Sequence, residues 1–457
     1  MSAVIDDPTL PAAGGLPLAS GDPARLLALA GGRPVRLHEF LGHVRGVAAL
    51  LPEAGHAVNL CEDRYRFLVV FCAVALRGQT TLMPPSRTPA TIQQVRQRYP
   101  HSYCIGDDSV CGCGPVPAGH YVQLPGVLPS SEGPAPLIDG DAVVAIGFTS
   151  GSTGEPAANA KTWGSFARSS AQNMAALDDL WPAATQPQLV ATVPPQHMYG
   201  MEMSVLLPLL GGVAVHAGRP FFPADIAAAL RELPGERVLV TTPVHLRSLV
   251  ASGAELPPLR GIVSATAPMP PELAAQAEAL FNTEVRELFG STETCIIARR
   301  RTAREQVWTL LPGVSLQPRP DGTVVHAPQL PGPVVLADLV ELHGTDRFSL
   351  RGRRADLLEV AGKRASLGEL TRQLLAIPGV EDGVVVQLDE EGAGGVRRIA
   401  AVAVAPTLGE RAILDALRRV VDPVFLPRRL RLVPALPRNE TGKLPRSALL
   451  QLLAAAD

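Results

Sequence analysis

The sequence predicts an α/β protein: a large N-terminal domain of βα layers with a β-rich subdomain, followed by a small α+β C-terminal domain. Three observations carry this. From Ala57 to Phe289 strand-like runs alternate with helical ones, the pattern of parallel sheet covered on both faces. From Gln306 to Asp338 short strand-like runs alternate with Pro/Gly turns, which suits a small β-rich subdomain. Beyond Gly352 a separate segment holds enough helix and strand for a small domain of its own. The expected domains are residues 1–352 and 353–457.

In order, the residues up to about Pro34 are rich in Pro, Ala and Gly, with one helical piece expected around Ala24 to Ala30. Ala57 to Leu60 then reads as strand, Arg64 to Leu76 as apolar helix, Gln79 to Met83 as strand, Pro89 to Arg98 as helix and Ser102 to Ile105 as strand. A Gly/Pro loop from Gly106 to Asp141 leads to an apolar strand, Ala142 to Ile146, and helical potential returns from Trp163 to Leu177. The alternation continues with strands at Gln188 to Val193 and Val213 to His216, helix at Pro223 to Leu233 and strand at Arg237 to Thr241. Helix follows at Pro243 to Ala251, strand at Gly261 to Ala265, helix at Pro270 to Phe281 and strand at Val285 to Phe289. The last segment reads as helix (Leu367 to Ala376), two strands (Gly383 to Leu388, Arg398 to Ala405), helix (Glu410 to Val420) and strand (Arg429 to Pro434).

Composition narrows the class. The 457 residues are 46% apolar and 18% charged, a globular balance with room for more than one domain. Lys plus Arg number 41 against 43 Asp plus Glu, which argues against a general binder of nucleic acid or anionic membrane. The six cysteines are irregularly spaced and read as reduced thiols. Cys111-Gly112-Cys113 has no matching Cys/His pair at finger-like spacing. Asp6 and Asp7 stand where an export signal would carry positive charge, and the apolar run Val205 to Ala217 is broken by Pro208, Gly211 and Gly212. The expectation is a cytoplasmic protein without membrane insertion.

The organising stretch is Phe148-Thr149-Ser150-Gly151-Ser152-Thr153-Gly154-Glu155-Pro156. Its glycines allow close approach and its hydroxyls and N–H groups can converge on phosphate oxygens. A Ser/Gly surface turn is the plainer alternative. It is not the G-x-x-x-x-G-K-[ST] loop of common NTPases, since Glu155 stands where that lysine would be, which argues against a kinase or ATPase of that class. Four further stretches follow: the His197 loop Pro194 to Gly200, Ser264-Ala265-Thr266-Ala267-Pro268, Glu287-Leu288-Phe289-Gly290-Ser291-Thr292-Glu293-Thr294, and Pro437-Arg438-Asn439-Glu440-Thr441-Gly442-Lys443. Each has a bland reading when taken alone. His197 is then a loop histidine, Ser264 to Pro268 a small-residue turn, Glu293 an acid in the first turn of a capped helix, and Lys443 a surface lysine.

Together and in this order the stretches resemble the adenylate-forming superfamily: acyl-CoA synthetases, aryl-CoA ligases, peptide-synthetase adenylation domains and luciferases. The resemblance runs from the first βα repeats to Lys443. It implies a large N-terminal domain and a small mobile C-terminal one, with ATP and a carboxylic acid bound between them. Acyl-AMP and pyrophosphate form first, and the acyl group then passes to a thiol of coenzyme A or of a carrier protein's phosphopantetheine. By this resemblance Thr149, Ser150, Gly151, Ser152, Thr153 and Gly154 hold phosphate, and His197 borders the acid pocket. Ser264 to Pro268 lie against adenine, and Phe289, Gly290 and Ser291 complete the nucleotide side. Thr292 contacts the α-phosphate and Glu293 holds Mg²⁺, for which a hard oxygen donor is suited. Asp338 and Arg353 contact ribose, Gly362 lines the thiol tunnel, and Lys443 brings its ammonium to carboxylate and phosphate.

The sequence also departs from the family pattern. Ala337 precedes Asp338 in place of glycine, and Ala355 with Asp356 stands at the hinge. Ala157 follows Pro156 where many members have lysine, and the next lysine is in Lys161-Thr162-Trp163. That last feature resembles the acyl-activating ligases of bacterial aryl polyene and xanthomonadin-type pigment pathways. It implies a small aromatic acid such as a hydroxybenzoate, with acyl carrier protein or coenzyme A as acceptor. A fatty-acyl or other acyl-CoA synthetase and a catalytically silent nucleotide-binding module are the alternatives.

Overall fold

The computed structural model describes residues 15–107, 121–149, 157–182, 185–353, 357–360, 363–391, 397–438 and 444–454. The chain folds as two compact units. One comprises Met1–Val240, Ser252–Ile262 and Gly290–Ile296; the other comprises Thr241–Ala251, Val263–Phe289 and Ile297–Asp457.

The first unit is built on parallel sheet. A six-stranded sheet runs in the order Ala157–Thr162, Val143–Thr149, Thr80–Met83, His56–Asn59, Ser102–Gly106, Tyr121–Gln123. Its last five strands are parallel. The helix Arg64–Leu76 (RYRFLVVFCAVAL) is apolar on every side and buried along nearly all its length, as a helix inside a layered fold must be. Its N-cap Asp63 accepts the Arg66 N–H. The helix Pro89–Arg98 opens on proline, whose missing N–H costs nothing there. A second set of strands, Glu236–Thr241, Pro187–Ala191, Ala214–His216, Leu26–Ala30 and Arg33–Arg36, lies in that order.

Two expectations fail in this unit. Residues Leu26–Ala30 are strand, where helix was expected around Ala24 to Ala30. The reason is the turn Gly31-Gly32, with φ of +57° and +71°, which folds Arg33–Arg36 back against it as a two-residue hairpin. The second concerns the glycine/hydroxyl loop. It does not lead straight into a helix: the chain first returns as Ala157–Thr162, antiparallel to Val143–Thr149. The helix Trp163–Leu177 begins only after Thr162, whose hydroxyl accepts the Ser165 N–H. The sequence reading also passes over the helix Leu37–Ala48 and a helix over Met198–Leu210 that takes π spacing at Glu202–Leu206. The π segment lies just before Pro208, which has no N–H to give the α ladder.

The second unit carries the antiparallel strands Asp338–Leu342, Arg347–Arg353 and Trp308–Leu310, and a three-stranded sheet Ser315–Arg319, Gly322–His326, Val334–Leu336. Its C-terminal part is a sheet of Asp382–Glu391, Arg397–Val404 and Arg429–Leu432. Alternation along these strands gives the sheet two apolar faces. Val385, Ala401 and Ala403 pack with Leu370, Leu374, Ile413 and Leu417 of the helices Leu367–Leu375 and Glu410–Leu417. Val386, Ala400 and Val402 pack with Leu449 and Leu453 of the helix Arg446–Ala454, which the sequence reading missed. Among the described residues no helix is long and apolar enough to cross a membrane.

Candidate active site

The strand Val143–Thr149 ends at half-buried Thr149, and Ser150, Gly151, Ser152, Thr153 and Gly154 lie outside the described residues. On the return strand Asn159 pairs with Gly147 and Lys161 with Ala145. Gly147 faces a crowded point. A Cβ there would come within 2.7 Å of the Thr292 methyl and 3.3 Å of Met198 Cε. A side chain there would require the Thr292 methyl to shift.

The stretch Ser291 to Cys295 is a β-turn between the strands Val285–Ser291 and Cys295–Arg300, so Glu293 does not open a helix. The turn is stapled by its own hydroxyls. Ser291 N–H donates to Thr294 Oγ1 and Thr294 N–H to Ser291 Oγ, each at 3.2 Å, and the two oxygens lie 3.1 Å apart. Thr294 Oγ1 donates to the Cys295 carbonyl, 2.8 Å. Cys295 takes a left-handed φ of +61°, a strained value for a side chain of its kind. Gly290 is required beside it, because a Cβ would sit 2.3 Å from the Cys295 carbonyl oxygen. With the backbone so occupied, Thr292 and Glu293 keep half-exposed side chains at the tip. Among the described residues no hydrogen bond or ion pair to the Glu293 carboxylate is formed.

Two buried charges stand behind this turn. Lys161, 4% exposed, donates from Nζ to the Glu293 carbonyl at 2.7 Å. Glu202, 1% exposed, accepts on Oε1 from Ser169 Oγ (2.7 Å), Asn173 Nδ2 (3.1 Å) and the Ile296 N–H (3.1 Å). Burial raises the Glu202 carboxyl above its ordinary range, and these donors and the Lys161 charge offset part of that. The Cys295 thiol is pushed up to about 12, first by burial and then by the Glu202 charge, so it is an inert thiol.

His197 caps the helix that begins at Met198, and its N–H donates to the Pro194 carbonyl. Gly200 lets that first turn press on Pro194: a Cβ would lie 2.0 Å from the Pro194 oxygen. Beneath the loop is Arg64, fully buried. Its Nη2 donates to the carbonyls of Ala191 (2.8 Å) and Val193 (2.9 Å), and its Nη1 to Ser204 Oγ. Burial lowers its guanidinium to about 9, with Arg219 adding repulsion, which leaves it charged at neutral pH. Arg64 thereby ties the strand that enters the loop to the π segment that leaves it.

In the second unit Ser264 is fully buried, and its Oγ has no hydrogen-bond partner among the described residues. Thr266 takes φ +83°, a second strained side-chain-bearing residue. Glu287, 3% exposed at its side chain, holds this strand end in place. It accepts the Met269 N–H (3.0 Å), Arg300 Nε (2.7 Å) and Thr302 Oγ1 (2.6 Å). Phe289 packs against Trp308 and Phe348 at centroid distances of 5.4 and 5.9 Å, and the Arg300 guanidinium lies 4.3 Å over the Trp308 ring. Asp338 stands opposite Arg353 in the ladder, and Gly352, opposite Leu339 in the next pair, takes φ +96° beside the bulge that precedes the Val340–Leu350 pair. Gly362 and Lys443 lie outside the described residues. Arg438, at the head of the lysine stretch, makes a two-pronged bond to Asp382 at 2.7 and 2.8 Å.

Residues 117–325 match the family model described as AMP-binding enzyme. The chain is 33% identical over 300 residues to the 4-coumarate–CoA ligase of Rhodobacter capsulatus, covering 65% of this chain and 74% of that one. The chain belongs to the AMP-binding enzyme family. It is also 25% identical over 297 residues to the 3-hydroxybenzoate–CoA/4-hydroxybenzoate–CoA ligase of Thauera aromatica, covering 54% of this chain and 56% of that one. Its fold is shared with the o-succinylbenzoate CoA synthetase of Bacillus subtilis, solved with the acyl-adenylate OSB-AMP. The TM-score is 0.79 at 18% identity, over 93% of this chain and 95% of that one. These relatives are acid–thiol ligases. In this AMP-binding enzyme, sequence reasoning overlooked Arg64, Glu202 and Gly147, and left Lys161 without a role. A charge inside an apolar run is the one signal that marked Arg64 and Glu202 beforehand. Gly147 carried none.

Proposed function

We propose that this AMP-binding enzyme activates a small aromatic acid with ATP and passes the acyl group to a thiol, coenzyme A or the phosphopantetheine of a carrier protein. The observation that carries the reading is the stapled turn. It holds the Thr292 hydroxyl and the Glu293 carboxylate at its tip, half-exposed, with the Ser291 and Thr294 N–H groups and the Glu293 and Cys295 carbonyls engaged. Such rigidity is what a group must have to meet charge as it develops. The printed substrates of the relatives, 4-coumarate and the hydroxybenzoates, support an aromatic acid.

The attack of a carboxylate on an α-phosphate joins two anions. Thr292 would donate to the α-phosphate, and Thr149 with the adjoining loop would hold the outer phosphates. The carboxylate of Glu293, without a partner among the described residues and a hard oxygen donor on a fixed backbone, fits Mg²⁺. When bound there, Mg²⁺ supplies neutralisation of phosphate charge. Ser264 to Pro268 and Phe289 would receive adenine, and Asp338 and Arg353 the ribose. His197, set on a loop that Arg64 and Gly200 hold rigid, would border the acid. Lys443 would bridge carboxylate and phosphate during adenylation, and Gly362 would admit the thiol afterwards.

ATP–pyrophosphate exchange over a panel of acids tests this. Hydroxybenzoates or coumarate should drive exchange, and acyl transfer to coenzyme A against holo carrier protein identifies the acceptor. Faster exchange with long-chain fatty acids or amino acids would overturn the aromatic assignment.

A further inference from the structure

We propose that Lys161 is a positioning residue for adenylation: its ammonium holds the peptide that aims Thr292 and Glu293. This rests on reading Glu293 as the magnesium ligand.

The strand Ala157–Thr162 exposes Ala157, Ala158 and Ala160 and buries Lys161. An aliphatic residue would fill that inward position at no electrostatic cost, whereas a buried ammonium must be matched by acceptors and charge. Here it is matched. Nζ bonds the Glu293 carbonyl at 2.7 Å, and the Glu202 carboxylate nearby favours the charge. Glu202 in turn takes the Ile296 N–H on the far side of the same turn. The two side chains therefore grip the turn from both ends, one by a carbonyl and one by an N–H. Between them lie the hydroxyl staple and the left-handed Cys295. What this leaves unconstrained is the pair of side chains at the tip. Lys161 bonds the oxygen of the 293–294 peptide, and the N–H of that same peptide is the Thr294 donor of the staple, so the ammonium and the Ser291 hydroxyl fix this peptide plane from its two edges, and with it the backbone that carries the Glu293 side chain. A displacement of about 1 Å in such a group costs roughly a hundredfold in rate. Lys161 bonds the main chain and not the carboxylate, so its effect passes through Glu293.

The test compares Lys161→Met, which keeps length and loses the charge, with Lys161→Arg. Mg·ATP binding is measured by calorimetry, exchange is measured across a Mg²⁺ titration, and acyl transfer is measured from preformed acyl-adenylate. For Lys161→Met the expected results are Mg·ATP affinity and Mg²⁺ midpoint weakened by about tenfold, exchange lowered by about ten- to a hundredfold, and transfer within about threefold of wild type. Lys161→Arg should recover part of each loss. Equal loss in both half-reactions, or a Mg²⁺ midpoint that does not move, would make Lys161 merely structural and overturn the proposal. If Lys161→Met does not fold because Glu202 is left unbalanced, the double variant Lys161→Met/Glu202→Gln removes both charges and is read the same way. Glu293→Gln separates the two ideas. If it leaves Mg²⁺ dependence unaltered, the reading of Glu293 fails, whatever Lys161→Met does.

Discussion

Glu202 illustrates how one residue links stability to the site. Its carboxyl is buried and its folded value lies above the ordinary 4.5, chiefly through loss of hydration. The folded chain thus keeps this proton to a higher pH than the unfolded chain does. Between the two values the native state binds more protons, so stability attributable to Glu202 falls as pH rises through that window. Glu202→Gln has no such titration. Its unfolding free energy relative to wild type should therefore move in the variant's favour as pH rises above about 4.5, until the buried carboxyl has lost its proton, and stay level below that range. Urea unfolding at a series of pH values measures this. A difference that stays constant, or drifts the other way, would show that Glu202 does not titrate in that window.

At the scale of an element, the helix beginning at Met198 depends on one missing side chain. Gly200 places its Cα against Pro194, and an added Cβ would fall 2.0 Å from that carbonyl oxygen. The obstacle is backbone, which cannot swing aside as a flexible side chain would. Gly200→Ala should therefore shift the His197 loop and lower stability by about 1–3 kcal/mol. The loop is proposed to border the acid, so KM for the acid should rise while KM for ATP holds. Unfolding and steady-state kinetics together check this, and a parallel rise in both KM values would count against the loop's role. The Arg64 bonds to Ala191, Val193 and Ser204 explain why the displacement cannot be absorbed by sliding the strand.

For the whole molecule, the proposal is a division at 352/353, with the motifs for ATP before it and Lys443 after it. Arg438 secures the start of the lysine stretch through Asp382, a half-buried pair also approached by Arg247 at 3.8 Å. If Lys443 acts only on the adenylating arrangement, Lys443→Ala should lose acyl-AMP formation by roughly two to four powers of ten. The same variant should transfer a preformed acyl group at nearly the wild-type rate. Gly362→Leu should do the reverse, with adenylation kept and transfer blocked by bulk. Single-turnover measurement of each half-reaction decides it, and equal loss of both steps in Lys443→Ala would refute a two-conformation mechanism here.

The sequence by itself determined the class of fold, the position of most strands and the family. The helices Arg64–Leu76, Pro89–Arg98, Trp163–Leu177 and Pro243–Ala251 begin and end where their patterns placed them. These are properties of neighbouring residues: a run of apolar side chains, a proline at the first turn, a cap. Leu26–Ala30 became strand because a two-glycine hairpin and a distant parallel partner, Ala214–His216, outweighed its local helical character. Ala157–Thr162, unremarkable in composition, became strand because it finds Val143–Thr149 beside it. Only the tertiary structure joined Lys161 to the Glu293 carbonyl, 132 residues away, and Glu202 to the Ile296 N–H, 94 residues away. A motif announces the atoms that meet a ligand. The groups that hold those atoms still are chosen by burial and by the need to satisfy polar atoms removed from water, and chain distance carries no trace of either.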